Sequence, residues 1–344
     1  TIDDPSAYFK VQLYTGNGST NAITFDDTDT DMQPDFVWLK SRSATTAHKL
    51  TDVARGVNSQ LESNADDAAS TATNQVTAFG SDGFTLGSNS DVNANSATFV
   101  SWNFKANGSG SSNTDGTINT TKTSANTTSG ISISTYTGTG SNATVGHGIG
   151  VAPKMVLIKG ISGATWWFVY HAGIPTPLTA KMNLNTTGYN NDPQASYWNS
   201  TAPTSSVFSI GTEASVNTSS ATYVAYSFSD VQGYSKMGSY KGNGNADGTF
   251  VYTGFRPAWV MCKRTDGTDW WVINDTKRNT YNPSDLGIRP NDSAAGSSDE
   301  AWTKDLLSNG FKHRTTNTGS NGSGANYIYL AFAEAPFVNS KGVP

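Results

Sequence analysis

The sequence predicts an all-β protein of three tandem antiparallel β-sandwiches, each of about 95–105 residues. Three observations carry that expectation. A proline, an apolar run ending in lysine and a second apolar run recur as Pro34-Asp35-Phe36-Val37-Trp38-Leu39-Lys40, Pro153-Lys154-Met155-Val156-Leu157-Ile158-Lys159 and Pro257-Ala258-Trp259-Val260-Met261-Cys262-Lys263. The spacing holds along the chain, since Tyr136 to Tyr240, Pro153 to Pro257, Trp166 to Trp270 and Phe228 to Phe332 are each 104 positions apart. Composition agrees: aromatics reach 11% while charged residues fall to 14%, and Gly, Ser, Thr and Asn fill much of the rest, a mixture suited to short strands and turns and poor in helix formers.

The elements follow in order. Residues 1–13 read as an N-terminal anchoring segment, because Ala7 to Leu13 alternate as a strand behind Pro5, with Tyr8 and Phe9 as the anchor residues. The first sandwich, residues 14–106, opens at Tyr14-Thr15-Gly16-Asn17-Gly18 and closes on Thr98-Phe99-Val100-Ser101-Trp102-Asn103-Phe104, a strand expected to bury one face. Residues 107–130 have almost no large apolar side chain and read as a polar linker or exposed edge structure. The second sandwich spans 131–231 and the third 232–344, opening at Tyr136-Thr137-Gly138 and Tyr240-Lys241-Gly242. Asp82-Gly83 and Asn309-Gly310 mark hairpins feeding the closing strands.

Several functions are excluded on charge and length. A net charge of −5 without clustered Lys or Arg argues against a nucleic-acid partner, and no apolar run reaches the roughly 18 residues of a membrane span. The single Cys262 rules out an intrachain disulfide framework and reads as a buried thiol. His48, His147, His171 and His313 form no ligand pair, and His48 aligns with Trp271, which suggests packing. Asp26, Asp27, Asp29, Asp31 and Asp35 raise the question of calcium; the other copies lack such a cluster, so a solvated loop is the reading. No metal, no cofactor and no catalytic residue is expected.

Two further groups stand out. Of each pair Trp166-Trp167 and Trp270-Trp271, strand geometry sends only one ring into a given core, so these four residues are the candidate ligand or partner contacts. Asp52 with Arg55 recurs as Asp275 with Arg278, again 223 positions on, and reads as a structural ion pair. Asp269, Asp275 and Glu334 are the only acids offered for glycoside hydrolysis, and the other copies lack a matching pair.

Tyr14-Thr15-Gly16-Asn17-Gly18-Ser19-Thr20, Asp52-Val53-Ala54-Arg55-Gly56, Asp82-Gly83-Phe84-Thr85-Leu86-Gly87 and Val100-Ser101-Trp102-Asn103-Phe104-Lys105-Ala106, together with the first proline run, resemble a tandem-repeat domain family of tailed, especially marine, bacteriophages. Its members are usually described as virion or tail-fibre structural proteins. The resemblance is strong over 11–106 and diffuse afterwards, because the second copy lacks the Asp-to-Arg-Gly element and the third has Arg278-Asn279. It implies lectin-like, jelly-roll sandwiches on the virion surface, working as a tail fibre or head decoration without catalysis. The partners it implies are other virion proteins, a homo-oligomer, with a trimer favoured, and a host surface glycan. The alternative is a secreted bacterial carbohydrate-binding or filament-forming adhesin.

Overall fold

A computed structural model describes residues 1–25, 30–190 and 192–335. Nearly all regular structure is antiparallel strand, as the composition requires. Three inner sheets share one strand order. In the first, the opening strand Phe9–Thr15 pairs with the closing strand Thr98–Phe104, which pairs with the proline strand Phe36–Ser41 and then Lys49–Asp52. The third repeats this with Ser235–Lys241, Asn326–Phe332, Trp259–Arg264 and Trp271–Asp275. In the second, Ile131–Thr137, Thr222–Phe228, Met155–Gly160 and Phe168–His171 follow that order, and an extra strand, Lys122–Asn126, lies outside the opening strand.

Each inner sheet carries a small outer sheet. Asn21–Thr24, Gly83–Leu86 and Val76–Gly80 cover the first, Ala143–Gly146 and Val207–Ile210 the second, and Phe250–Tyr252, Gly310–His313 and Lys304–Leu307 the third. Three separate apolar clusters fill these sandwiches, with Val37, Leu39 and Phe84 in the first, Val156, Ile158 and Phe208 in the second, and Val260, Cys262 and Phe311 in the third.

The other face of every inner sheet is buried as well. Phe36, Trp38, Met155, Leu157, Trp259 and Met261 enter one shared central core, so alternate residues of each proline strand serve two cores. This corrects the expectation of one buried face for the closing strand: from Phe99 to Phe104 every residue is buried. A strand covered on both faces reads as a continuous apolar run, which is why these runs scarcely alternate. At the centre stand the ends of the closing strands, with Phe104 and Phe228 rings 6.2 Å apart, Phe104 and Phe332 5.2 Å, and Phe228 and Phe332 6.0 Å.

Two segment boundaries change. The opening strand Phe9–Thr15 crosses the expected division at residue 13, and Phe9 is buried against Phe104 and Phe332, with ring centroids 4.9 and 5.3 Å away. Residues 1–13 are therefore built into the body, because an alternating aromatic segment found a sheet with an open edge and an apolar face. The polar segment 107–130 is likewise folded, with Lys122–Asn126 paired to Ile131–Thr137, Ser124 opposite Ile133, and with Ile118 bridged to Val145. Thr and Ser side chains, poor in apolar area, still complete backbone ladders at a sheet edge.

One turn recurs at the end of each opening strand. A Cβ on Gly16, Gly138 or Gly242 would sit 2.2–2.3 Å from the carbonyl oxygen of Ala94, Thr218 or Gly322, so no side chain fits there. The next loop is held by a buried asparagine: Asn93, Asn217 and Asn321 accept from the backbone N–H of Asn17, Thr139 and Asn243 at 2.9, 2.8 and 3.1 Å.

Candidate functional site

The side chains singled out by the sequence collect at the joints between inner sheets. Trp167 is buried and its indole N–H donates to the Glu62 carbonyl at 2.8 Å, joining the second sheet to a loop that follows the first. Trp271 does the same from the third sheet to the Asn183 carbonyl at 2.9 Å. His48 takes this position in the first sheet. Its Nδ1 accepts from the Trp38 indole at 2.8 Å, so Nε2 carries the proton and donates to the Arg289 carbonyl at 3.0 Å. Burial holds the His48 pKa well below its ordinary value, which suits this neutral tautomer. The contacts form a cycle, first loop to second sheet, second loop to third sheet, third loop to first sheet.

The lysines that end the proline strands face the same loops. Lys159 donates to the carbonyls of Asp66 and Asp67 at 3.1 and 2.6 Å, and Lys263 to that of Thr187 at 3.2 Å. Lys40 donates to the Ser41 carbonyl at 2.9 Å, and the Asp292 charge of the third loop favours its ammonium form. Burial pushes Lys40 and Lys159 down to about 8 and Lys263 to about 7.

The ion pairs are deeper. Asp52 accepts from Arg55 Nε at 2.6 Å and from the Tyr226 hydroxyl of the second sheet at 2.7 Å. Asp275 accepts from Arg278 Nε at 2.6 Å and from the Trp102 indole of the first sheet at 3.0 Å. At the third joint His171 and Ile174 stand where the Asp–Arg pair stood, and the closing strand offers Leu330, which has nothing to donate. There His171 Nε2 donates to the Tyr329 carbonyl at 3.1 Å, while its Nδ1 accepts from the Gly173 N–H at 3.0 Å; burial pushes its pKa down to about 4. The pair is present where a neighbouring sheet supplies an N–H or O–H, and absent where it supplies a methyl.

The outer tryptophans differ from their neighbours. Trp166 is 41% exposed with the Lys181 ammonium 5.2 Å from its ring centre, and Trp270 is half-buried under the Arg289 guanidinium at 4.5 Å. The anchor residues also separate: Phe9 lies in the central core, while Tyr8 is half-buried and edge-on to Tyr234 at 6.1 Å. Phe9 is thus a core residue and is not available to an outside partner.

The acids weighed for hydrolysis are engaged separately. Asp275 is closed into its joint, Asp269 accepts from the Trp270 N–H at 3.0 Å, and Glu334 accepts from the Val11 N–H at 3.2 Å. Asp26, Asp27 and Asp29 lie outside the described residues; among those described, no group of three His, Cys, Asp or Glu is placed to hold a metal. No described helix is long and apolar enough to cross a membrane.

Sequence reasoning missed Asn93, Asn217 and Asn321. Their spacing of 124 and 104 positions matches that of Phe104, Phe228 and Phe332, and that shared spacing was the signal available.

Three covered sheets around a common apolar centre, with polar side chains placed as joints, define an all-β protein of the sandwich class. The chain belongs to the family described as a domain of unknown function (DUF7483), whose model matches residues 4–336. No curated protein and no solved structure matches it.

Proposed function

We propose that this chain is a non-enzymatic structural protein of a bacteriophage particle, a tail fibre or head decoration that presents its outer loops to the host surface. The observation that carries the reading is the use of its conspicuous polar residues. The buried Asp–Arg pairs, the two inner indoles, Lys159 and Lys263 bind one sheet to the next, the close joining that a component of a particle under mechanical stress requires. The resemblance of residues 11–106 to phage virion proteins supplies the setting. A trimeric axis has a counterpart inside the single chain, around Phe104, Phe228 and Phe332, so the proposal places one chain at each site of the particle.

Immunogold electron microscopy of particles, using antibodies raised against the purified chain, tests it. Gold on tails or capsids is the expected result. Gold confined to bacterial surface filaments overturns it in favour of a secreted adhesin, for which the exposed Trp166 ring is the favouring observation. A glycan array then separates the contacts: binding lost in Trp166→Ala assigns that ring to host sugar, since an exposed aromatic face stacks on a pyranose.

A further inference from the structure

The first and third sandwiches serve as controls for one another. In the first, Leu39, Val76 and Leu86 pack within one apolar core, with Val76 opposite Leu86 in the strand pairing. The matching positions of the third are Cys262, Lys304 and His313, with Lys304 directly opposite His313. The second has Ile158 and Ile210 at the positions of Cys262 and His313. All three polar residues are buried, none more than 3% exposed. An ammonium group in an apolar sandwich is strongly disfavoured unless paired. Yet the contact of Lys304 Nζ is the Cys262 sulfur at 3.9 Å, and both ring nitrogens of His313 are buried without a hydrogen-bond partner. Two sheets that are elsewhere joined by hydrocarbon here place an amine, a thiol and an unpartnered imidazole together.

We propose that Cys262 and Lys304 are a modification site, at which a single oxygen atom bridges Sγ to Nζ and ties the inner sheet of the third sandwich to its outer sheet. Molecular oxygen is the oxidant. The S–H bond, one N–H bond and the O–O bond break, and S–O and O–N bonds form. Sulfur and nitrogen each give up two electrons, dioxygen takes four, and its second atom leaves as water with the two released hydrogens. The step starts from a free amine: among the described residues no carboxylate pairs with Lys304, and His313, opposite it in the strand pairing, is held uncharged by burial. Burial works in the same direction, lowering the pKa of Lys304. Cys262 lies on Trp259–Arg264 and Lys304 on Lys304–Leu307, so the bridge closes a loop between strands held otherwise only by packing.

Peptide mapping by mass spectrometry of the full chain, held in air or anaerobically with a phosphine reductant, tests the proposal. The expected result in air is one joined species containing Cys262 and Lys304, heavier than the two peptides by one oxygen less two hydrogens, and released by the reductant. The joined species disappears in Cys262→Val and in Lys304→Met, and the air-treated wild type melts at a higher temperature than the reduced one. Recovery of the two peptides apart and unmodified after air exposure overturns it. So does recovery of Cys262 as a sulfinic acid with Lys304 free. The wild-type map decides the matter even where a variant fails to fold.

Discussion

Trp102 and Asp275 belong to different inner sheets, 173 positions apart, and meet through a buried hydrogen bond of 3.0 Å from indole to carboxylate. Arg278 completes the joint, its guanidinium 5.8 Å from the Trp102 ring centre and its Nε 2.6 Å from the same carboxylate oxygen. Removing the acid therefore strands both a cation and an N–H. Asp275→Ala is expected to lower unfolding free energy by about 3–5 kcal/mol, measured by guanidinium titration. The triple change Asp52→His, Arg55→Ile and Tyr226→Leu copies the joint around Leu330 and should cost less than Asp52→Ala alone; a greater loss would break the matching of donor to acid.

Neighbouring tryptophans should respond very differently. Trp167→Ala opens a hole beside Tyr226 and orphans the Glu62 carbonyl, a loss of about 3–5 kcal/mol. Trp166→Ala removes a half-exposed ring and one contact with Lys181, a loss under about 1 kcal/mol. Chemical denaturation of the two variants side by side reads both.

Residues 235–335 alone should not fold. Isolated, they would expose Trp259, Met261, Trp271, Ile273, Leu330 and Phe332 of the shared core to water. Circular dichroism and amide proton dispersion of that fragment are the check, and a cooperative melt would contradict a common centre. The whole chain is expected to unfold in one transition.

Stability should rise with pH above neutrality. Lys263 has a folded pKa of about 7 and Lys40 and Lys159 about 8, against roughly 10.4 for a free lysine. Between those limits the unfolded chain binds more protons, so raising pH favours the folded state; the gain is complete above the unfolded value and is lost as pH falls toward 7. Lys263→Met should flatten the unfolding free energy between pH 7 and 10 relative to wild type.

The strands were legible because their signals are local. The proline runs, the Tyr-x-Gly turns and the closing aromatics each mark an element by residue type and spacing. What joins the sheets was not legible in the same way, since Trp102 and Asp275, or Trp167 and Glu62, are brought together only by the packing of whole sheets. A trace of it was present in the chain nonetheless. The Asp–Arg pair appears in two copies and lapses in the one opposite Leu330, a pattern that becomes meaningful once each pair is matched with the closing strand of another sheet. Phe9 misled for a related reason: a strand end beside a polar N-terminus reads as free, and its burial depends on Phe332, over three hundred positions away.

The three opening strands meet their surroundings in different ways. Val11 and Met237 turn an N–H outward to the carboxylates of Glu334 and Asp230, at 3.2 and 2.7 Å, whereas Ile133, at the matching position, lies opposite Ser124 of an added strand. A body with three similar thirds is thereby indexed, like a dial with one notch. Seated on a support of true threefold symmetry, it has three orientations of unequal energy, and the third bearing Lys122–Asn126 tells them apart.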